Sequence, residues 1–219
     1  MKYLKKFETE ADVQMFVQPN VVLVADTGEI RYNVPMPNGV LIQHVDGKLY
    51  TMSNWTAGGF LPSDANGVAI IDEQACFTIA KDQKSGALLS ESLTLEGILT
   101  TTVRSDAMTD FNGKNNTEIL LATGKSPGAT EATNYTFPNG KHGYIGSLGE
   151  WSLVAKYHDE VIAAMKRIGG TTQYWAHNRA STLYNNTKSW GYNMNSSGSY
   201  FNESCTTNVA IRPFCSIDL

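Results

Sequence analysis

A chain of 219 residues that is 42% hydrophobic and 17% charged has the composition of a globular protein and is long enough to bury a core in one or two domains. A formal charge of −4 without a basic cluster argues against a phosphate-binding surface and against nucleic acid as a partner. No run approaches the ~18 apolar residues of a membrane span, so membrane insertion is not expected. The opening MKYLKKFETEADVQMF has no apolar h-region of a secretory signal, so export by a cleaved signal is not expected either.

In chain order, Thr9 caps a short predicted helix, with Asp12 near its first turn and Val13, Phe16 and Val17 on one face. Pro19-Asn20 ends it. VVLVA and EIRYN flank Asp26-Thr27-Gly28, a hairpin signal. Residues 1–33 therefore read as a small helix-hairpin attachment unit, and VPMPN at 34–38 as a stiff connector to a domain spanning 34–219. GVLIQHV and KLYTM flank Asp46-Gly47, whose glycine tolerates the positive φ of a tight hairpin. The hexapeptide Trp55-Thr56-Ala57-Gly58-Gly59-Phe60 reads as a tight turn between aromatics. GVAIIDEQACFTIA, residues 67–80, predicts one or two buried strands. Residues 84–114 carry no regular pattern.

Asn115 or Asn116 caps a short predicted helix through TEILLATG that stops at Gly124, and Ser126-Pro127-Gly128 reads as a turn. The strongest helical signal covers residues 148–168. Ser147 and Glu150 form a capping box, and Trp151, Val154, Tyr157, Val161, Ile162, Met165 and Ile168 recur on one face. Lys166 and Arg167 suit the last turn, and Gly169-Gly170 stops the helix. A closing strand with Val209, Ile211 and Phe214 on its buried side is expected beside an early strand such as residues 39–45. Hairpins, a few helices and a loop-rich β region define an α+β fold.

Few residues nominate chemistry. Cys76 and Cys215 read as small buried hydrophobes. For Cys205 and Cys215 a bridge stays open, with free thiols the default in a reducing compartment. His44, His142, His158 and His177 are scattered, without metal-ligand spacing. His158 reads as solvated helix surface and His142 as a turn residue. The chain holds no phosphate loop, dinucleotide fingerprint or nucleophile elbow. An enzyme is not expected, nor are a cofactor and a metal.

Residues 174–214 say more. Tyr174-Trp175 opens this stretch and Ile211-Arg212-Pro213-Phe214 closes it. Between them Asn, Ser and Tyr crowd while Leu, Ile and Val are scarce. A polar, aromatic-rich segment between apolar anchors suits an exposed recognition surface on a rigid frame. Tyr offers large contact area at low entropic cost, and Ser and Asn offer adaptable hydrogen bonds.

The same residues carry a resemblance. Gly143-Tyr144-Ile145, Leu148-Gly149-Glu150-Trp151, the helix end Ile168-Gly169-Gly170, Tyr174-Trp175, Trp190 and Ile211-Arg212-Pro213-Phe214 occur in an order similar to that of the C-type lectin-fold variable proteins diversified by retroelements. The versions from Bacteroides and their phages look most alike. The front half (LKKFETEADVQMF, PNVVLVADTGEIRYN, GVLIQHVDGKLYT, WTAGGF, NGVAI) matches in style. Two departures occur: Ala176-His177-Asn178 stands where the family has Ser-Ser-Thr, and Ile211 stands where it has Val. The resemblance implies a C-type lectin-like fold with small antiparallel sheets, one or two helices and a binding face from residues 176–208, diversified through adenine-rich codons.

Trp175 and Trp190 would be frame. The implied contacts are His177, Asn178, Arg179, Tyr184, Asn185, Asn186, Lys188, Tyr192, Asn193, Asn195, Tyr200 and Asn202, with Arg179, Tyr184, Tyr192 and Tyr200 carrying most of the energy. No calcium site is expected, because Gln18-Pro19-Asn20 lies far upstream of the lectin context. The fold is shared with formylglycine-generating enzymes, in which Cys205 and Cys215 would stand for the cysteine pair, but the surrounding enzyme motifs are missing. The implied function is recognition of a protein or glycan receptor on a bacterial surface by a phage tail-fibre tip. A trimer is favoured, joined to other tail proteins through residues 1–33 and located in the virion. A bacterial cell-surface adhesin is the alternative.

Overall fold

The computed structural model describes residues 4–6, 23–24, 30–33, 38–171, 177–194 and 198–217. Strands β1 (Leu4–Lys6), β2 (Leu23–Val24) and β3 (Ile30–Asn33) form a three-stranded sheet in the order β1-β3-β2. Leu23 opposes Arg31 and Val24 opposes Ile30, the antiparallel pairing expected around Asp26-Thr27-Gly28. The helix expected over residues 9–17 and most of the 34–38 connector lie outside the described residues.

β4 (Gly39–His44) and β5 (Leu49–Tyr50) form the second predicted hairpin, with Gly47 at φ 88° in its turn. The aromatic hexapeptide is not a turn. Thr51 caps α1 (Met52–Ala57) by accepting from the Asn54 amide, which places Trp55 in the core before Gly59 (φ 68°) reverses the chain. The apolar run 67–80 supplies β6 (Ala65–Ile71) and β7 (Cys76–Ile79), as expected. The patternless stretch 84–114 contributes β8 (Lys84–Gly86) and the short α2 (Arg104–Ala107).

α3 (Gly113–Ala122) starts ahead of Asn115, and Gly124 at φ 66° ends it. Ser126-Pro127 opens α4 (Pro127–Asn134): the Ser126 hydroxyl accepts from the Ala129 amide, and proline occupies the first turn, where its missing N–H costs nothing. β9 (Tyr144–Ile145) leads into the predicted capping box, in which Ser147 and Glu150 satisfy each other's backbone amides. The long helix proves to be two, α5 (Leu148–Lys156) and α6 (His158–Arg167), divided at Tyr157 (φ −109°, ψ 29°). At that break the Tyr157 hydroxyl and Lys156 Nζ both donate to Asp72 Oδ2, at 2.9 and 2.6 Å. Trp151, Val154, Val161, Met165 and Ile168 are fully buried on the predicted face.

The C-terminal part is a meander of β10 (His177–Asn185), β11 (Lys188–Asn193) and β12 (Ser199–Ser204), followed by β13 (Val209–Ile211) and β14 (Pro213–Ser216). Two sheets organise the molecule: a five-stranded one, β12-β11-β10-β13-β8, and a six-stranded antiparallel one, β5-β4-β6-β7-β14-β9. The closing strand expected beside residues 39–45 is split between them. β13 joins β8, and β14 lies between β7 and β9, with β6 and β7 separating it from β4. The switch falls at Arg212-Pro213, where proline opens the second strand, as suits a residue without an amide hydrogen. The fold is therefore mixed α+β, with six α-helices among the described residues.

The main core fills the space between the six-stranded sheet and α5–α6. Ile42, Val68, Ile70, Phe77, Ile79 and Phe214 meet Trp151, Val154, Val161 and Met165, and Tyr192 joins them from the meander. A second cluster gathers Leu88, Leu89, Ile98, Leu120, Ile145, Leu183 and Ile211.

Candidate binding face

Side chains on β11 and β12 alternate between two faces. The register pairs Lys188 with Ser204, Trp190 with Asn202 and Tyr192 with Tyr200, so these six share one face. Gly191, Phe201, Ser189 and Glu203 belong to the other.

The inner part of this meander is frame. Asn178, Arg179, Tyr192 and Asn193 are buried, at 0%, 1%, 2% and 9% exposure, and so do not offer the contact surface expected of them. Asn178, Arg179 and Tyr192 are held by partners from other parts of the chain. The Arg179 guanidinium donates to Ser189 Oγ (2.6 Å) and to the carbonyls of Ser204 and Thr207 (both 2.9 Å), locking the turn after β12. Burial pulls its pKa down to about 10. Asn178 Oδ1 accepts from Gln83 Nε2 at 2.9 Å. Tyr192 packs against Trp151 with ring centroids 5.8 Å apart, and its hydroxyl lies 2.9 Å from His158 Nδ1. Burial pushes that hydroxyl up to about 12. His158 is thus half-buried against Tyr192, not a solvated surface residue. Trp190 is core at 6% exposure, as expected, with Nε1 donating to the Thr101 carbonyl at 2.9 Å.

A polar cluster fixes β10 from below. Asp110 Oδ2 accepts from Thr182 Oγ1 (2.6 Å) and Asn116 Nδ2 (2.9 Å). Thr182 Oγ1 in turn accepts from the Leu148 amide at 2.8 Å. Asn116 Nδ2 also reaches Ser181 Oγ at 3.2 Å. The Ser and Thr residues of β10 therefore serve the frame, since buried polar groups are tolerated when hydrogen-bonded.

The outer part carries the surface. His177, Asn186 and Lys188 are exposed, and Tyr184, Asn185, Tyr200 and Asn202 are half-buried. Asn195 and Trp175 lie outside the described residues. Asn185 Oδ1 accepts from the Thr187 and Lys188 amides and from Thr187 Oγ1, each at 2.9 Å, so it shapes the β10–β11 turn. On the first face Tyr184 meets Trp190 edge-on at 5.1 Å, Tyr200 packs on Tyr192 at 5.3 Å, and Lys188 Nζ reaches Asn202 Oδ1 at 3.3 Å. Two contributors escape sequence reasoning. Arg104 lays its guanidinium 5.5 Å from the Tyr200 ring centroid, and Val103 beside it is 50% exposed. Their segment is held to the meander by the Thr101 amide donating to the Leu183 carbonyl at 3.1 Å. Nothing in the patternless 84–114 stretch announces that proximity.

On the opposite face His177 and Phe201 stack at 4.7 Å, and the Phe201 ring covers Gly191. A Cβ at 191 would press on that ring and come within 2.6 Å of the Asn178 carbonyl, which belongs to the neighbouring strand and cannot yield. Gly191→Ala is expected to destabilise the fold by about 1–3 kcal/mol and to shift β12 outward. Urea unfolding with amide-exchange protection along β12 checks this, and unchanged protection would contradict it.

Cys76, Cys205 and Cys215 are free thiols. Cys205 packs in the Leu88–Ile211 cluster and Cys215 with Ala80 and Phe137, so the bridge that sequence left open is not formed. Burial pushes Cys205 up to about 11, which keeps it a thiol. Cys76 is only half-buried. No helix of the described residues is long and apolar enough to cross a membrane. No protein-family model, no curated protein and no solved structure shows a significant match to this chain.

Proposed function

We propose that the protein is a receptor-binding module with a C-type lectin-like fold, recognising a molecule on a bacterial surface from the tip of a phage tail fibre. One observation carries the reading. A strand at the sheet edge, β12, holds half-exposed Tyr200 and Asn202 on one face beside Tyr184 and Lys188, while Arg179 and the Asp110 cluster fix the backbone behind them. Lys188 and Asn202 are polar and outside the core, so they can change without disturbing it, while Tyr184 and Tyr200 rest on Trp190 and Tyr192 and offer only their outer edges. Recognition then belongs to the outer residues 184–188 and 200–202, and His177, more than to the whole of 176–208. A trimer joined to its fibre through residues 1–33 would turn weak single sites into tight attachment.

The test is a Tyr200→Ala, Asn202→Ala double variant applied as labelled protein to a panel of Bacteroides strains. Binding is expected to fall at least tenfold, a loss of about 1.4 kcal/mol or more. The melting temperature is expected to fall by no more than about 4 °C. Unchanged binding to every strain the parent protein labels would remove the proposed face.

A further inference from the structure

The first face of the meander is not a neutral surface. Arg104 is exposed, and its guanidinium has the Tyr200 ring as its one recorded contact among the described residues. Lys188 is exposed, and its Nζ donates to Asn202 Oδ1. The two cations mark the ends of a strip. Arg104 stands over position 200, and Lys188, rooted opposite position 204, brings its Nζ back to Asn202 Oδ1, two positions or about 7 Å along β12 from Tyr200. Between them lie the Tyr200 ring, the Asn202 amide and the Tyr184–Trp190 pair.

Two neighbouring carboxylates point elsewhere. Asp106 follows Arg104 by two residues on α2 and so projects around the far side of that turn. Glu203 is on the opposite face, where Oε1 accepts from the Ser204 amide and Thr207 Oγ1. Asp159, exposed on α6, is a negative charge near the Tyr192 hydroxyl, at the Tyr200 end of the strip.

Aromatic faces, an amide and cations suit one kind of ligand. A tyrosine face carries negative charge and attracts the slightly positive C–H groups of a sugar ring. Asn202 donates and accepts, matching hydroxyls. Arg104 and Lys188 call for anionic groups. A protein partner would need a broader apolar centre. Among the described residues, the large apolar ones exposed near this strip are Leu99 and Val103.

We infer that the strip takes an acidic saccharide, lying along β12 with its anionic groups against Arg104 at one end and Lys188 at the other. The inference rests on the receptor-binding reading above and adds the ligand class and a contact residue, Arg104, from outside the polar C-terminal segment.

The experiment titrates the full chain with oligogalacturonate, hyaluronan, alginate and polysialic acid, each beside its carboxyl-reduced counterpart, and with polyglutamate. At least one acidic saccharide is expected to bind, and its reduced form to bind at least tenfold more weakly. Arg104→Gln and Lys188→Gln, both exposed, are each expected to weaken the acidic form about tenfold and to leave the reduced form unchanged. Raising salt is expected to weaken the acidic form alone. Equal binding of acidic and reduced forms, binding of polyglutamate only, or no saccharide binding at all would overturn the inference. The cell assay separates the two proposals. If the Tyr200→Ala, Asn202→Ala variant loses cells while Arg104→Gln keeps them, the receptor reading stands and the acidic ligand falls. If all variants keep them, the face itself is wrong.

Discussion

Replacing Arg212 by methionine is expected to lower the unfolding free energy by about 3–5 kcal/mol. Arg212 sits where the chain leaves the five-stranded sheet for the six-stranded one, and it is 1% exposed. Its guanidinium donates to the carbonyls of Ala80 (2.7 Å) and Lys81 (3.1 Å) through one nitrogen and of Thr171 (2.6 Å) through the other. Three backbone segments therefore meet on one planar group. Methionine would fill the space and strand the carbonyls of Ala80 and Thr171, each costing about 1–3 kcal/mol when buried without a partner, while the Lys81 carbonyl keeps the Thr171 amide at 2.9 Å. Arg212 carries its own cost, since burial pulls its pKa down to about 10 and its Nε–H has no partner among the described residues. That cost keeps the expected loss below the upper end of the sum for two stranded acceptors. Lysine should fail as well, because one ammonium cannot reproduce a fork aimed at carbonyls on two segments. Urea unfolding measures the effect, with amide exchange around residues 80–81 and 171. A loss below about 1 kcal/mol would show that the junction does not depend on this clamp.

Local signals were read well. The Ser147–Glu150 box, the Asp46-Gly47 hairpin and the apolar run that became β6 and β7 each rest on residues within a few positions of one another. Interpretation failed where a residue's partner is far along the chain. Thr182 bonds Asp110 across 72 positions and Arg212 bonds Ala80 across 132. Without those partners, a polar strand such as His177-Asn178-Arg179-Ala180-Ser181-Thr182 looks like surface. With them, most of it is interior. The same blindness inverted the roles of Arg179 and Tyr192, which looked like anchors for a ligand and instead anchor the sheet. Lys188 is exposed, and Tyr200 and Asn202 are half-exposed, because they stand at the turn or on the edge strand. The break at Tyr157 and the cap at Ser126 differ in kind. The second lay in a serine ahead of a proline, which the sequence reading gives as a turn and the structure shows to open a helix, whereas the first coincides with a bond to Asp72, 85 positions away.

Between about pH 4.5 and 7 the protein is expected to lose about 3 kcal/mol of stability through Glu150 alone. Glu150 is 4% exposed, and desolvation raises its pKa from 4.5 to about 7. Donors from Tyr144 Oη (2.7 Å), the Ser147 amide (2.7 Å) and Ser147 Oγ (2.9 Å) pull the other way, and Asp110 adds to the rise. The folded state therefore holds its proton where the unfolded chain has released it. The contribution is complete below the unfolded value of 4.5 and disappears as pH climbs through 7. Glu150→Gln removes the titration and keeps the shape: the amide oxygen still accepts from Ser147 and the amide nitrogen donates to the Tyr144 oxygen. Unfolding free energies measured at pH 5, 6, 7 and 8 for both proteins isolate the effect, because the histidines contribute equally to each. Wild type minus variant is expected to become less favourable by about 2.5 kcal/mol over that range, and a constant difference would show that the network holds the carboxylate ionised throughout.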